Sequence, residues 1–111
     1  HSDSLPAEVD RIRVRRTASI GLGRMVGPAG RRPRHGHVHA LLQSVLASKA
    51  LRKCGSVEVR VRDGVIAAAS ADREAVACVS KALREVEVPA EVVEFELLVG
   101  DAVDAYYAAG P

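Results

Sequence analysis

The stretch "SVEVRVRDGVIAAAS" (residues 56–70) decides the fold, because it contains a complete β-hairpin. Its first half alternates valine with charged residues, which is the period of a strand with one buried face. Asp63–Gly64 follows, and both residues tolerate the positive φ that a two-residue hairpin turn requires. A short return strand is expected over residues 65–69. The centre of the chain is therefore predicted to be an antiparallel strand pair.

A helical pattern lies on each side of this hairpin. The preceding helix is predicted from about His37 to Lys53, and its apolar stripe consists of Val38, Leu41, Leu42 and Val45. In the following helix, Asp72 is the expected N-cap and Pro89 follows the end. The apolar stripe of that second helix consists of Ala75, Val79, Ala82, Leu83 and Val86.

Two further strands complete the pattern, "RIRVRRTASIGL" (11–22) and "EVVEFELLVG" (91–100). In the last strand Val93, Phe95, Leu97 and Val99 are expected to face inward. After it, Asp101 is expected to start a short C-terminal helix. The order strand, helix, strand, strand, helix, strand predicts an α+β fold. Its form would be a ferredoxin-like two-layer sandwich, with a four-stranded antiparallel sheet and two helices on one face.

The length of 111 residues suits one domain with one modest core. Apolar residues make up 48% of the chain and charged residues 27%, which is a globular balance. We expect a flexible N-terminus over residues 1–8 and a single α+β domain over residues 9–100. That domain would contain a long basic Gly/Pro loop at 21–36. Residues 101–111 would form a tail or a short helix.

From Val38 to Val99 the chain resembles the bacterial BON module. The matching residues are "VEVRVRDGVIAAAS", which resembles the hairpin of that module, and the closing "VEFELLV". In BON modules a helix precedes such a hairpin, and a second helix and a last strand follow it. The resemblance implies a binding module and not an enzyme.

Charge is distributed unevenly along the chain. No acidic residue occurs from Arg11 to Cys54, and no basic residue occurs from Glu85 to the end. In a ferredoxin-like sheet the first and last strands are neighbours, so opposite charges on them would stabilise the pairing without any ligand. The facing residues would be Arg11, Arg13, Arg15, Glu94 and Glu96.

The segment "GLGRMVGPAGRRPRHGHVH" (21–39) combines glycines, arginines and histidines. Its glycine spacing fits neither a P-loop nor a dinucleotide fingerprint. His35, His37 and His39 have no Cys, Asp or Glu nearby to complete a metal site. The arginines suit an anion or an acidic partner, because a guanidinium binds carboxylate or phosphate in bidentate fashion. The candidate binding residues are Arg24, Arg31, Arg32, Arg34, Arg60 and Arg62. The alternative is a solvated, mobile loop.

A second candidate surface is an apolar patch on the uncovered face of the sheet. Under strict alternation it consists of Val65, Ala67, Ala69 and Leu98. An apolar patch on an open sheet face is typical of a protein interface. The alternative is that the C-terminal "VDAYYAAGP" (103–111) folds over this face.

Cys54 and Cys78 permit a single disulfide, but two buried thiols in a reducing cytoplasm are the first expectation. No apolar run approaches the roughly 20 residues that a membrane-spanning helix needs, so no membrane partner is expected. No nucleophile and base are visible together. We therefore expect no catalytic residues, no cofactor and no metal.

The sequence thus predicts a non-enzymatic interaction module that self-associates or docks a partner protein, with a basic loop suited to an acidic partner. The alternative function is anion or nucleic-acid binding through residues 24–34. The basic region lacks aromatic stacking platforms, which argues against the usual recognition of single-stranded RNA. A protein partner or homodimer is the first expectation, and nucleic acid is the second.

Overall fold

The central hairpin forms as the sequence predicts. In a computed structural model, which describes residues 20–69 and 72–108, β2 (Val57–Arg62) and β3 (Val65–Ala69) are antiparallel neighbours. The turn residues have φ angles of 52° at Asp63 and 82° at Gly64. Positive φ at both positions matches the twist of the flanking strands. The valines of β2 are buried and its arginines are exposed, so the alternation in the sequence is the alternation of burial.

The predicted first helix is two helices, α1 (His35–Ala47) and α2 (Lys49–Arg52). They are separated at Ser48, whose backbone is extended. The Ser48 Oγ accepts a hydrogen bond of 3.2 Å from the Leu51 backbone N–H. Serine in this position satisfies an N–H group that the first turn of a helix leaves free, so it starts a helix rather than continuing one.

The second predicted helix is α3 (Arg73–Ala82), which a short 3-10 helix (Leu83–Glu85) extends. Its cap is confirmed, since the Asp72 carboxylate accepts a hydrogen bond of 2.8 Å from the Ala75 N–H. Val79 and Ala82 are buried as predicted. Leu83 is only half-buried, because the change to 3-10 geometry rotates the chain away from the α-helical stripe.

The remaining strands are β1 (Ile20–Val26) and β4 (Glu94–Val99), and the strand order is β1-β4-β2-β3. All three neighbouring pairs are antiparallel. The α+β class and the four-stranded antiparallel sheet are thus confirmed, and β1 is the neighbour of β4. The ferredoxin-like prediction needs correction, because in that fold the first and third strands are central, whereas here β4 and β2 are. The central position suits β4, in which Leu97, Leu98 and Val99 are all buried.

The first strand continues further along the chain than predicted, to Val26 rather than Leu22. Residues 11–19 of the predicted strand are outside the described residues, as is the predicted flexible N-terminus. The segment assigned to a loop at 21–36 instead contains most of β1 and the start of α1. Across from Glu94 lies Val26, so the first-strand partners of β4 come from residues 20–26. The expected partners Arg11, Arg13 and Arg15 lie outside the described residues.

The core lies between one face of the sheet and the helices, with α1 packed on β1 and α3 on β2 and β3. Its fully buried side chains include Ile20, Leu22, Val38, Leu41, Val45, Leu51, Val79, Phe95 and Leu97. At the edge of this core Cys54 and Cys78 form a disulfide, with a Cα–Cα distance of 5.5 Å. The expectation of two free thiols was wrong. The inference of a cytoplasmic location from free thiols therefore loses its basis.

The opposite face of the sheet is partly covered by α4 (Asp101–Ala108), which contacts β1, β2 and β4. Its start is held by Ser56, whose Oγ accepts a hydrogen bond of 3.0 Å from the Asp101 N–H. Val103 of α4 and Leu98 of β4 are both buried. The C-terminal segment thus folds over this face, which was the alternative to an open apolar patch. Within the described residues, no helix has the length and apolar character needed to cross a membrane.

Candidate interaction surface

The edge of the described sheet at β3 is an exposed apolar surface. Among the described residues, β3 has a neighbouring strand on one side only, so the backbone N–H and C=O groups of its other side have no strand partner there. Its five residues, "VIAAA", carry no charge. Val65, a large apolar side chain, is 68% exposed. A free, uncharged edge strand is a template for pairing with another strand.

A β-bulge sets which β3 side chains share a face. Val61 pairs with Ile66, but Arg60 pairs with Ala68, so Ala67 is an additional residue in β3. Residues paired across two strands point to the same side of the sheet. Ile66 therefore faces the helices with Val61, while Ala68 lies on the outer face with Arg60.

This bulge changes the predicted interface. Arg62 pairs with Val65, so Val65 belongs to the outer face as expected. Ala69 pairs with the buried Val59 and belongs to the helix-bearing side, although it is exposed at the edge. Ala68 takes its place on the outer face. The sequence could not show this, because nothing in a run of three alanines marks the extra residue.

Leu98 does not contribute to an exposed patch, because its exposed fraction is 0%. It is the neighbour of Leu97 and Val99 in β4 and points away from them, toward the face that α4 covers. Its role is to hold α4 against the sheet. The apolar surface left open is therefore the β3 edge with Val65, Ala67, Ala68 and Ala69.

Arg60 and Arg62, which were predicted to bind anions, lie beside glutamates of β4. Arg60 is directly opposite Glu96, and Arg62 is opposite Glu94. The Arg62 Nε lies 3.9 Å from the Glu94 Oε1. A surface pair at this distance contributes little stability, but the glutamates lower the net positive charge beside these arginines.

The loop arginines lie around a hydrogen-bonded turn between β1 and α1. After β1, the Gly27 N–H donates a hydrogen bond of 2.6 Å to the Arg31 carbonyl, and a 3-10 turn (Pro28–Gly30) lies between them. Gly27 has no room for a side chain, since a Cβ there would lie 2.9 Å from the Arg31 oxygen. Pro33 is buried. The side chains of Arg24, Arg31, Arg32 and Arg34 are exposed around this framework.

The histidines at the start of α1 do not converge on one point. The His37 Nε2 lies 3.5 Å from the Glu91 Oε1, while the His39 Nε2 lies 3.2 Å from the Gln43 Nε2. His35 is exposed. Within the described residues, no group of three or more His, Cys, Asp or Glu side chains is placed to hold a metal ion.

Comparisons of the chain with protein-family models, with curated proteins and with solved structures each gave no match. The resemblance to the BON module therefore stays a prediction.

Proposed function

We propose that this protein is a non-enzymatic interaction module that binds its partner by strand addition at β3. The observation that carries the proposal is the free edge of β3, which is uncharged and exposes Val65. Edge strands usually carry charges or proline that prevent such pairing. β1, the other edge strand of the described sheet, contains Arg24, whereas β3 contains neither a charged residue nor proline.

Strand addition explains how so small a surface can bind. A partner strand would supply the hydrogen-bond partners that the outer side of β3 lacks, and the main chain contributes affinity in this mode of binding. Val65 and Ala68 would add apolar contact on the outer face. Arg60 and Arg62 of β2 would lie at the polar rim, and arginine is enriched in protein interfaces.

A photo-reactive residue at position 65 tests the proposal in the cells that make the protein. We expect ultraviolet light to join a benzophenone side chain at Val65 to one defined protein, identified by mass spectrometry. The matched control carries the same group at Ala77, an exposed position on α3. Equal yields of adduct at the two positions, or none at Val65, would overturn the proposal.

A second candidate function is anion or nucleic-acid binding by the arginines around the connection from β1 to α1. The observation that favours it is the charge at the start of α1, where the first turn has no acidic residue and no side-chain cap. The N-terminus of a helix attracts anions. Arg31 and Arg34 lie exposed on the same connection.

Labelled double-stranded DNA tests this second function. Binding should weaken steeply as salt rises, because each neutralised phosphate releases counterions. A triple variant, Arg24→Ser, Arg31→Ser and Arg34→Ser, should keep its melting temperature and lose the salt-dependent binding. The control variant removes equal charge elsewhere, with Arg73→Ser, Lys81→Ser and Arg84→Ser. Equal losses in both variants would show non-specific attraction only.

A further inference from the structure

We propose that the strand added to β3 is β3 of a second copy of this chain. This inference rests on the proposed function, and it names the partner. Antiparallel pairing of β3 with itself around a two-fold axis would join the two sheets into one. Two-fold dimers are the most common oligomers, and their interface uses the same surface patch of both subunits.

The charge of β3 suits pairing with itself. Around a two-fold axis a strand meets its own sequence, so every charge near the axis would face or adjoin a like charge. β3 contains none across Val65–Ala69. β1 would bring two copies of Arg24 together, which opposes self-pairing at that edge.

The bulge in β3 selects the register. Paired residues must lie on the same face, and Val65 and Ala68 share the outer face. A two-fold axis between Ile66 and Ala67 would place Val65 of each copy opposite Ala68 of the other. An axis through Ala67 would instead set Val65 against Ala69, which belongs to the opposite face.

The selected register also matches side chains by size. Val65 is 68% exposed in the single chain, and its counterpart is an alanine, which leaves space for the larger side chain. The pairing occurs twice because of the symmetry. Both exposed valines would thus be covered by the same contact that completes the backbone hydrogen bonds. An unrelated strand would need the same large-and-small pattern to fit as well.

Sedimentation measures the association directly. The chain has a mass of 11.8 kDa, and we expect the measured mass to rise toward twice that value as protein concentration increases. Val65→Lys should weaken the dimer by about tenfold or more, since the register brings each lysine into the apolar contact. Ala77→Lys, on the exposed side of α3, should leave dimerisation unchanged. A dimer that survives Val65→Lys would overturn the proposal.

Cysteine pairs test the register. Both native cysteines are in the disulfide, so an introduced thiol is the one available for crosslinking. Mixing Val65→Cys protein with Ala68→Cys protein under mild oxidation should give a crosslinked dimer, because paired strands place Cα atoms within disulfide range. Each variant alone should give none. A crosslink between Val65→Cys and Ala69→Cys instead would overturn the register.

The two proposals fail in different ways. A chain that stays monomeric at every concentration, yet forms a Val65 photo-adduct with another protein, would overturn self-pairing and leave strand addition standing. A monomeric chain with no Val65 adduct would overturn both.

Discussion

At the scale of single residues, Gly23 allows β1, β4 and α4 to meet. A Cβ at this position would lie 2.6 Å from the Glu96 Oε1 and 3.1 Å from the Tyr106 Cζ. The same Glu96 oxygen accepts a hydrogen bond of 2.7 Å from the Arg24 N–H, where the pairing of β1 with β4 shifts register. A side chain would therefore push the carboxylate off the bulge and the tyrosine off the sheet.

Gly23→Ala should lower the free energy of unfolding by roughly 1–3 kcal/mol, as overpacking of a tight site does. Gly36→Ala is the matched control, because Gly36 lies in α1 with nothing near its Cβ position. Alanine there should raise stability by roughly 0.5–1 kcal/mol through its better helix propensity. Urea unfolding measures both, and equal effects would contradict the contact at Gly23.

Two leucines differ in burial, one in the core and one at its margin. Leu41 of α1 is 0% exposed, whereas Leu83 is half-buried in the 3-10 turn. Leu41→Ala should cost roughly 2–5 kcal/mol of unfolding free energy, because it removes a fully buried side chain and leaves a cavity. Leu83→Ala should cost less than half as much. A larger loss at Leu83, measured by the same denaturation, would contradict this assignment.

Features that depend on neighbouring residues in the sequence could be predicted at this scale. Asp63–Gly64 and the Asp72 cap depend on neighbouring backbone groups, so the residue type alone identifies them. The position of Ala68 on the outer face could not be predicted. The bulge that places it there arises from pairing with β2, and a run of alanines does not mark it. The outer-face residues of the candidate surface were therefore predicted only in part.

At the scale of elements, the disulfide ties the chain after α2 to the middle of α3. It joins Cys54 to Cys78 over a sequence separation of 24, and α2 packs against α3 at this point. Closing a loop of this length restricts the unfolded chain, which stabilises the folded state by about 3 kcal/mol. Two cysteines in a sequence do not reveal this link, since their distance depends on how the helices pack.

Reduction of the disulfide should lower the free energy of unfolding, measured by urea denaturation, by about 2–4 kcal/mol. The double variant Cys54→Ala with Cys78→Ala should show the same loss without reductant. Adding reductant to this variant should change nothing, which separates the disulfide from other effects of the reagent. If complete reduction leaves the urea midpoint of the wild-type protein unchanged, the disulfide is not stabilising.

The sequence of β1 shows why the end of the first strand was placed too early. Ile20 and Leu22 share a face, but the bulge before Met25 breaks the period-two pattern within the strand. The glycines at 21, 23 and 27 then suggest a loop. Two of them lie inside β1, and Gly23 serves a close approach of Glu96 and Tyr106 rather than a turn.

At the scale of the whole molecule, strand order depends on what each strand must bury. β4 has buried side chains on both faces, since α4 covers Leu98 while the core contains Leu97 and Val99. It therefore lies inside the sheet, next to β2. The local sequence predicted the strands and the pairing of first with last. Which strands are central depends on contacts between distant segments, including α4. Local periodicity contains no information on such contacts.

Hydrogen exchange distinguishes this order from the ferredoxin-like one. β4 pairs with both β1 and β2, so its amides on either side are bonded, whereas β1 and β3 are the edges of the described sheet. At low protein concentration, which keeps the β3 edge unpaired, amides of Glu94–Val99 and Val57–Arg62 should exchange most slowly among the strands. Those of Ile20–Val26 should exchange faster, because an edge strand opens without disrupting the sheet. In the ferredoxin-like order the first strand is central and the last is at an edge. Slower exchange in β1 than in β4, measured by NMR, would therefore contradict the order β1-β4-β2-β3.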